Sequence, residues 1–310
     1  MNEKLKLIST LKHYRNLKCL EYLQNLGNAT NSFISVDRLK KFQTTLESRN
    51  KRFVIVCENL ENQGNVSAIV RSADAMGIQH IYSITEEGID QQFANCGRVS
   101  LGSENWLTQK KFKKTSTCIE YLKNKGYSIW VSDLSATSFS FDKLIFQPSK
   151  IIPQFDYFLN QTINNLEILN NNNKNEDLIL KKDIIINEVY KSNNIDNKNL
   201  NNFIKNNEKI ALVFGNETVG VSEEMKSLAD RRFYLPMIGM VQSFNVSVSV
   251  AMTLAYLKMQ GVLVGDLSTL QKNQLLCRWV LSSIQNNRLF LQQLNYDPDY
   301  VLDILNKEFD

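Results

Sequence analysis

The chain has 310 residues, 43% of them hydrophobic, which is enough for one or two domains with a sizeable core. No apolar run approaches the ~20 residues needed to span a bilayer. The first ten residues set Glu3, Lys4 and Lys6 among Leu5, Leu7 and Ile8, without the continuous apolar core of a secretory signal. The expectation is a soluble cytoplasmic protein with no membrane partner, an organellar address being left open. Cys19, Cys57, Cys96, Cys118 and Cys277 are scattered without CxxC spacing, which argues against a zinc site or a disulfide framework and fits a reducing compartment. His13 and His80 lie far apart and read as surface or packing residues, so neither a histidine-based mechanism nor a metal is expected.

Net charge is +4, yet residues 1–52 alone hold 11 Lys and Arg against 4 Asp and Glu. That excess reads equally as a solvated helical face or as an electrostatic footprint for RNA phosphates. Residues 1–51 read as a basic helical extension, with Leu17, Leu20, Tyr22, Leu23 and Leu26 among the charges. Residues 52–265 alternate short β-rich runs with helical stretches. The predicted strands are 53–57, 78–84 and 127–132, and helices are expected over 65–76 and 115–125. Such alternation implies a parallel α/β sheet.

Residues 160–208 break the pattern with 17 Asn among 49 positions and read as a mostly disordered insertion. The α/β pattern resumes with a strand at 210–214, a helix at 222–228 and a strand at 232–235. A loop at 236–243 then leads into a strongly apolar helix at 246–258. Residues 266–310 read as two C-terminal helices separated near Asp297 and Pro298, the first with a stripe of Leu275, Leu276, Trp279, Val280 and Ile284.

Three blocks carry the polar chemistry. Glu58 to Asp74 forms a strand end, a polar loop and a helix start, where ligands bind in open parallel sheets. Arg71 falls one turn from buried positions and calls for an anion, either a ligand phosphate or an internal partner such as Asp74 or Glu58. Leu212 to Glu224 runs a strand into Gly215, which permits close backbone approach to a ligand, followed by Asn216 and Glu217. Neither GxxxxGK[ST] nor GxGxxG occurs, which disfavours a nucleoside-triphosphate or dinucleotide enzyme. In Leu235 to Ala251, Gly239 lets the loop turn, and Ser243 or Asn245 caps the following helix.

In order and spacing, the three blocks resemble the signature motifs of the SpoU/TrmH family of RNA ribose 2′-O-methyltransferases. Gly102-Ser-Glu-Asn-Trp106 is similar to a further family segment. The resemblance covers 53–135 and 210–260 and implies an α/β sheet with a C-terminal trefoil knot (the SPOUT type), a homodimer and S-adenosyl-L-methionine as cofactor. It places Arg71 on the family's essential arginine and Asn65 on its first-motif asparagine. Leu134, Gly215, Leu235 and Phe244 fall where the family lines its cofactor pocket, with Phe244 standing where Leu is more usual. Glu217, Ser243 and Asn245 match polar residues that shape the site.

The run Gly239 to Ser247 is similar to the branch that methylates a D-loop guanosine of tRNA. Residues 1–51 are also too short for the separate RNA-binding domain of ribosomal-RNA members. The implied activity is therefore tRNA guanosine 2′-O-methylation. Ribosomal RNA, the tRNA wobble position and a catalytically silent RNA-binding relative are the alternatives. Joint retention of Arg71, Asn65, Glu217 and Asn245 argues against the silent relative.

Overall fold

The computed structural model describes residues 34–85, 102–146, 203–204 and 208–301. Most of the Asn-rich stretch, the extension before residue 34, and Cys19, Cys96 and His13 lie outside the described residues. The first described helix is α1 (Val36–Glu47), capped by the Ser35 side chain, which accepts from the Arg38 N–H. It leads into β1 (Asn50–Glu58), α2 (Gln63–Ala75) and β2 (Ile78–Ile84). A 3₁₀ turn (Ser103–Asn105) precedes β3 (Thr108–Phe112), α3 (Thr115–Asn124), β4 (Tyr127–Ser132), β5 (Phe139–Ser140) and β6 (Ile145–Phe146). Then follow β7 (Phe203–Ile204), β8 (Lys209–Phe214), α4 (Glu223–Leu228), β9 (Arg231–Tyr234), α5 (Val246–Met259), α6 (Thr269–Ser282) and α7 (Asn287–Gln293).

Seven strands form one parallel sheet in the order β3-β2-β1-β8-β4-β9-β5. The central strands are apolar on both faces because helices cover both. Along β1, Phe53, Ile55 and Cys57 face one core with Val66, Ile69 and Val70 of α2 and Val250 and Leu254 of α5. Val54 and Val56 alternate to the opposite core, with Cys118, Ile119 and Leu122 of α3 and Met225 of α4. The result is a three-layer α/β/α sandwich.

A third core joins the chain's two described ends. Phe42 and Leu46 of α1 pack with Leu275, Trp279 and Val280 of α6. Trp279 is 1% exposed; its ring centroid lies 5.6 Å from Phe42 and 5.8 Å from Trp106, and its indole N–H donates to the Trp106 carbonyl at 3.2 Å. Arg49, buried just before β1, donates to the Ile78 carbonyl at 3.0 Å, pairs with Asp74 and sits 5.1 Å over the Trp279 ring. The segment after α5 is clamped to the same corner: Asp266 accepts from the Lys51 and Arg52 N–H groups at 2.7 and 3.0 Å. A Cβ on Gly265 would lie 1.7 Å from the Glu47 carbonyl oxygen, so only glycine fits that crossing.

One expectation needs correction, and two features add to what the sequence marked. The C-terminal region breaks not only before Pro298 but also at 283–286, where Asn286 takes a left-handed conformation at φ 58°. A third helical segment therefore begins at residue 298. Within the stretch expected to be mostly disordered, Phe203 and Ile204 pair in parallel with Ile145 and Phe146. Finally, β3 carries Lys110 and Lys111 in a segment without an apolar run, which is why the sequence did not mark it as a strand.

Candidate active site

All strands of the main sheet point the same way, so their carboxyl ends lie on one edge. The register places Phe112, Ile84 and Glu58 side by side there, with Cys57 beside Phe214. Loops leaving β1, β4, β8 and β9 at this edge bring the three sequence blocks together. A cavity of about 540 Å³ opens among the last three of these loops, lined in part by Leu134, Gly215, Glu217, Leu235, Phe244 and Asn245. The volume falls within the range of small-molecule sites. Ser243 also lines it, as do Asp133, Asn216, Tyr234 and Lys226, which the motif reading did not single out as site residues. Arg71 and Asn65 are not among the lining residues.

Asn65 nevertheless holds the cavity wall. Its amide donates to Glu217 Oε1 at 2.9 Å, and its carbonyl oxygen accepts from the Asn245 amide at 3.0 Å. Glu217 further accepts from the Glu61 and Asn62 N–H groups, each at 3.3 Å. One hydrogen-bonded chain thus joins all three loops. Partial burial pushes the Glu217 carboxyl up. The Asn65 amide and the backbone N–H groups of Glu217, Glu61 and Asn62 outweigh that effect and hold it below the usual carboxylate range.

The cap of α5 is Asn245, whose side chain accepts from the Ser247 N–H at 2.9 Å, while Ser243 is exposed and takes no part. Gly239 lies in open space without a positive φ, so the turn there does not require glycine. Gly215 does require it, but against its own loop: a Cβ there would meet the Gly220 carbonyl carbon at 2.2 Å. The residues between close on themselves, with Asn216 and Gly220 exchanging N–H···O bonds of 2.9 Å. Asn216 is buried, donates to the Asn59 carbonyl at 2.8 Å and accepts from the Thr218 and Val219 N–H groups. It fixes the loop's shape.

Both internal partners considered for Arg71 are engaged elsewhere. Asp74 pairs with Arg49. Glu58, buried at the end of β1, accepts from the Thr115 hydroxyl at 2.7 Å and from the Ser222 N–H and hydroxyl at 2.8 Å each. Arg71 itself is exposed on α2, with no hydrogen bond or ion pair among the described residues. It starts about 9 Å along the helix axis from Asn65, at ~1.5 Å per residue. His80 is buried within β2, and burial, reinforced by Lys51, Arg278, Lys209 and Lys125, pushes its pKa down to about 3, so it stays neutral. Cys57, Cys118 and Cys277 are buried and outside any disulfide, and no metal-binding group of side chains occurs among the described residues.

A parallel sheet with helices on both faces and a loop-walled cavity at its carboxyl edge defines an α/β fold with a site of small-ligand size. The chain belongs to the SpoU rRNA Methylase family, whose model matches residues 52–152 and 157–255. It is 27% identical over 217 residues to a tRNA (guanosine(18)-2′-O)-methyltransferase of Aquifex aeolicus, covering 70% of this chain and 74% of the relative. A protein of the same name from Borreliella burgdorferi is 24% identical over 240 residues, covering 77% of this chain and 81% of the relative. In fold, the chain resembles the A. aeolicus TrmH/SpoU tRNA modifying enzyme, with a TM-score of 0.56 at 24% identity, over 81% of this chain and 98% of that one.

Proposed function

We propose that this chain is an S-adenosyl-L-methionine-dependent RNA ribose 2′-O-methyltransferase whose substrate is tRNA and whose target is a D-loop guanosine. The observation that carries this reading is the Asn245–Asn65–Glu217 hydrogen-bonded chain, which ties the three motif loops together beside the cavity. The curated relatives named as tRNA (guanosine(18)-2′-O)-methyltransferases support the choice of RNA.

The cavity suits the cofactor in kind. Leu134, Leu235 and Phe244 offer apolar surface for a flat base, and the loop that starts at Gly215 and folds back on it lines the cavity beside them. When bound, S-adenosyl-L-methionine supplies an electrophilic methyl group. The chain's own contribution is placement and charge. Glu217 stays ionised and holds Asn65, and with it the start of α2, against the cavity wall. The unpaired Arg71 guanidinium grips the phosphate next to the target ribose and stabilises the alkoxide that develops at the 2′-oxygen. A guanidinium is a poor base, so the hydroxyl proton passes to that phosphate or to water. Ser243 and Asn245 shape the entrance.

The same reading includes a trefoil knot formed by the loops after β8 and β9, and a homodimer. Trp279 is sequestered in the α1–α6 core of its own chain. Among the exposed apolar residues, Val248, Met252 and Met259 share one face of α5, with Ile238, Met240 and Val241 on the loop before it. This surface supports self-association. Residues 1–51 and 266–310 are assigned to RNA contact around a catalytic unit of 52–265. Buried cysteines outside any disulfide fit a cytoplasmic setting.

Incubating the purified protein with labelled S-adenosyl-L-methionine and unmodified tRNA or ribosomal RNA tests the proposal. Label on tRNA, mapped to a D-loop ribose, is expected. Label on ribosomal RNA alone would refute the substrate. RNA binding without transfer would favour a silent relative.

A further inference from the structure

Resting on the reading that RNA is the substrate, we propose that Lys113 and Lys114, between β3 and α3, form a phosphate-binding surface for RNA beside the active-site edge. Residues 108–125 hold six lysines and a single acidic residue, Glu120, a denser excess than in the basic N-terminal stretch. Part of it has an ordinary explanation. β3 is the outer strand of the sheet, and Lys110 and Lys111 on it discourage pairing with another chain. Lys123 lies in the last turn of α3, where a cation suits the helix dipole, and it donates to the Leu228 carbonyl at 3.0 Å.

Neither account reaches Lys113 and Lys114. Both lie past Phe112, where the β2–β3 pairing ends, and both are exposed with no ammonium partner among the described residues. Their position is fixed relative to the cavity. The row Phe112–Ile84–Glu58, carried one residue past the last β1–β8 pair (Cys57 beside Phe214), leads to Gly215, three strand spacings or about 14 Å away. The very next residue, Thr115, donates to buried Glu58, and Glu58 in turn holds Ser222 at the end of the cavity loop. Two unpaired cations are thus tied by two side-chain hydrogen-bond steps to the wall of the proposed cofactor site. Point charges at that spacing suit the backbone phosphates of nucleotides flanking the reacting ribose. They fix register and carry no base information.

The test uses the full chain with Lys113→Ala/Lys114→Ala and, as the conservative pair, Lys113→Arg/Lys114→Arg. Binding to a tRNA transcript is followed across salt concentrations, alongside methylation kinetics and S-adenosyl-L-methionine affinity. Loss of two phosphate contacts should lower the slope of log affinity against log salt by about 1.4 to 1.8. The KM for tRNA should rise several-fold at moderate salt, with kcat and cofactor affinity unchanged, and the Arg pair should restore binding. Unchanged slope and KM in an enzyme that still methylates tRNA would overturn this surface and leave the proposed function standing. A wild-type chain that neither binds nor methylates RNA would overturn both.

Discussion

Replacing Glu58 by Gln probes the joint between the sheet and the cavity loop. The wild-type carboxylate takes two hydroxyl donors on Oε1 and the Ser222 N–H on Oε2, all at 2.7–2.8 Å. An amide of the same shape keeps one acceptor oxygen. With that oxygen toward the hydroxyls, its NH₂ meets the Ser222 N–H donor to donor. Hydrogen bonds to a charged group contribute ~1.5–3 kcal/mol each, and an orphaned buried donor costs about 1–3 kcal/mol. Losing one bond outright and weakening two should therefore destabilise the fold by roughly 2–4 kcal/mol. Urea titration should show a lower midpoint at constant m-value, and the melting temperature should fall by about 2–4 °C per kcal/mol. Cofactor affinity should drop as well, because Ser222 both ends the cavity loop and caps α4 through the Met225 N–H. Thr115→Val should cost little further in the Gln background. A Gln variant within ~0.5 kcal/mol of wild type, with undiminished cofactor binding, would refute the assignment of Glu58 as the anchor.

Arg71→Ala should abolish methyl transfer while cofactor affinity, read by calorimetry, stays near wild type; Lys should rescue poorly because it lacks the planar fork, and near-normal turnover in the Ala variant would contradict the role. Acid should weaken the fold through His80: the unfolded chain takes up its proton below about 6.5, but the folded chain only near about 3. Stability supplied by the neutral ring is therefore complete above pH ~6.5 and falls by ~1.4 kcal/mol per pH unit as pH drops through that window. His80→Gln should flatten this part of the pH–stability curve, and an identical curve would count against a neutral buried ring. Met252→Glu with Met259→Glu should convert a dimer to a monomer in sedimentation at micromolar concentration, whereas an unaffected dimer would move the interface off α5.

The central sheet was readable because strands covered on both faces become unbroken apolar runs, as in 53–57 and 210–214. Caps were readable because Asn and Ser declare themselves before apolar helices, although only the folded loop decides between Ser243 and Asn245. Several features left no local sequence signal. An edge strand needs few apolar residues, so β3 reads as a charged loop. The partners of Glu58 and Arg49 come from segments far away in sequence, and a buried ion pair looks like any surface charge until the fold closes around it. Trp279 lies in an apolar stripe, and a stripe alone does not say whether it meets its own chain or another. Gly215 was marked as a place of close approach, but what approaches it is the backbone five residues on.

The pairing of β1 with β8 also sets a schedule for synthesis. Phe53 finds its neighbour at Ile210, and β2 flanks β1 on the other side only. A ribosome adding about 5–20 residues per second needs roughly 8–30 s to carry the chain from one to the other. During that interval the most apolar strand of the nascent protein has one open rim, able to accept a strand from any neighbour. Yield in the cell should then depend on how quickly the long Asn-rich stretch between them is translated, and on whether a chaperone shields that rim while it waits.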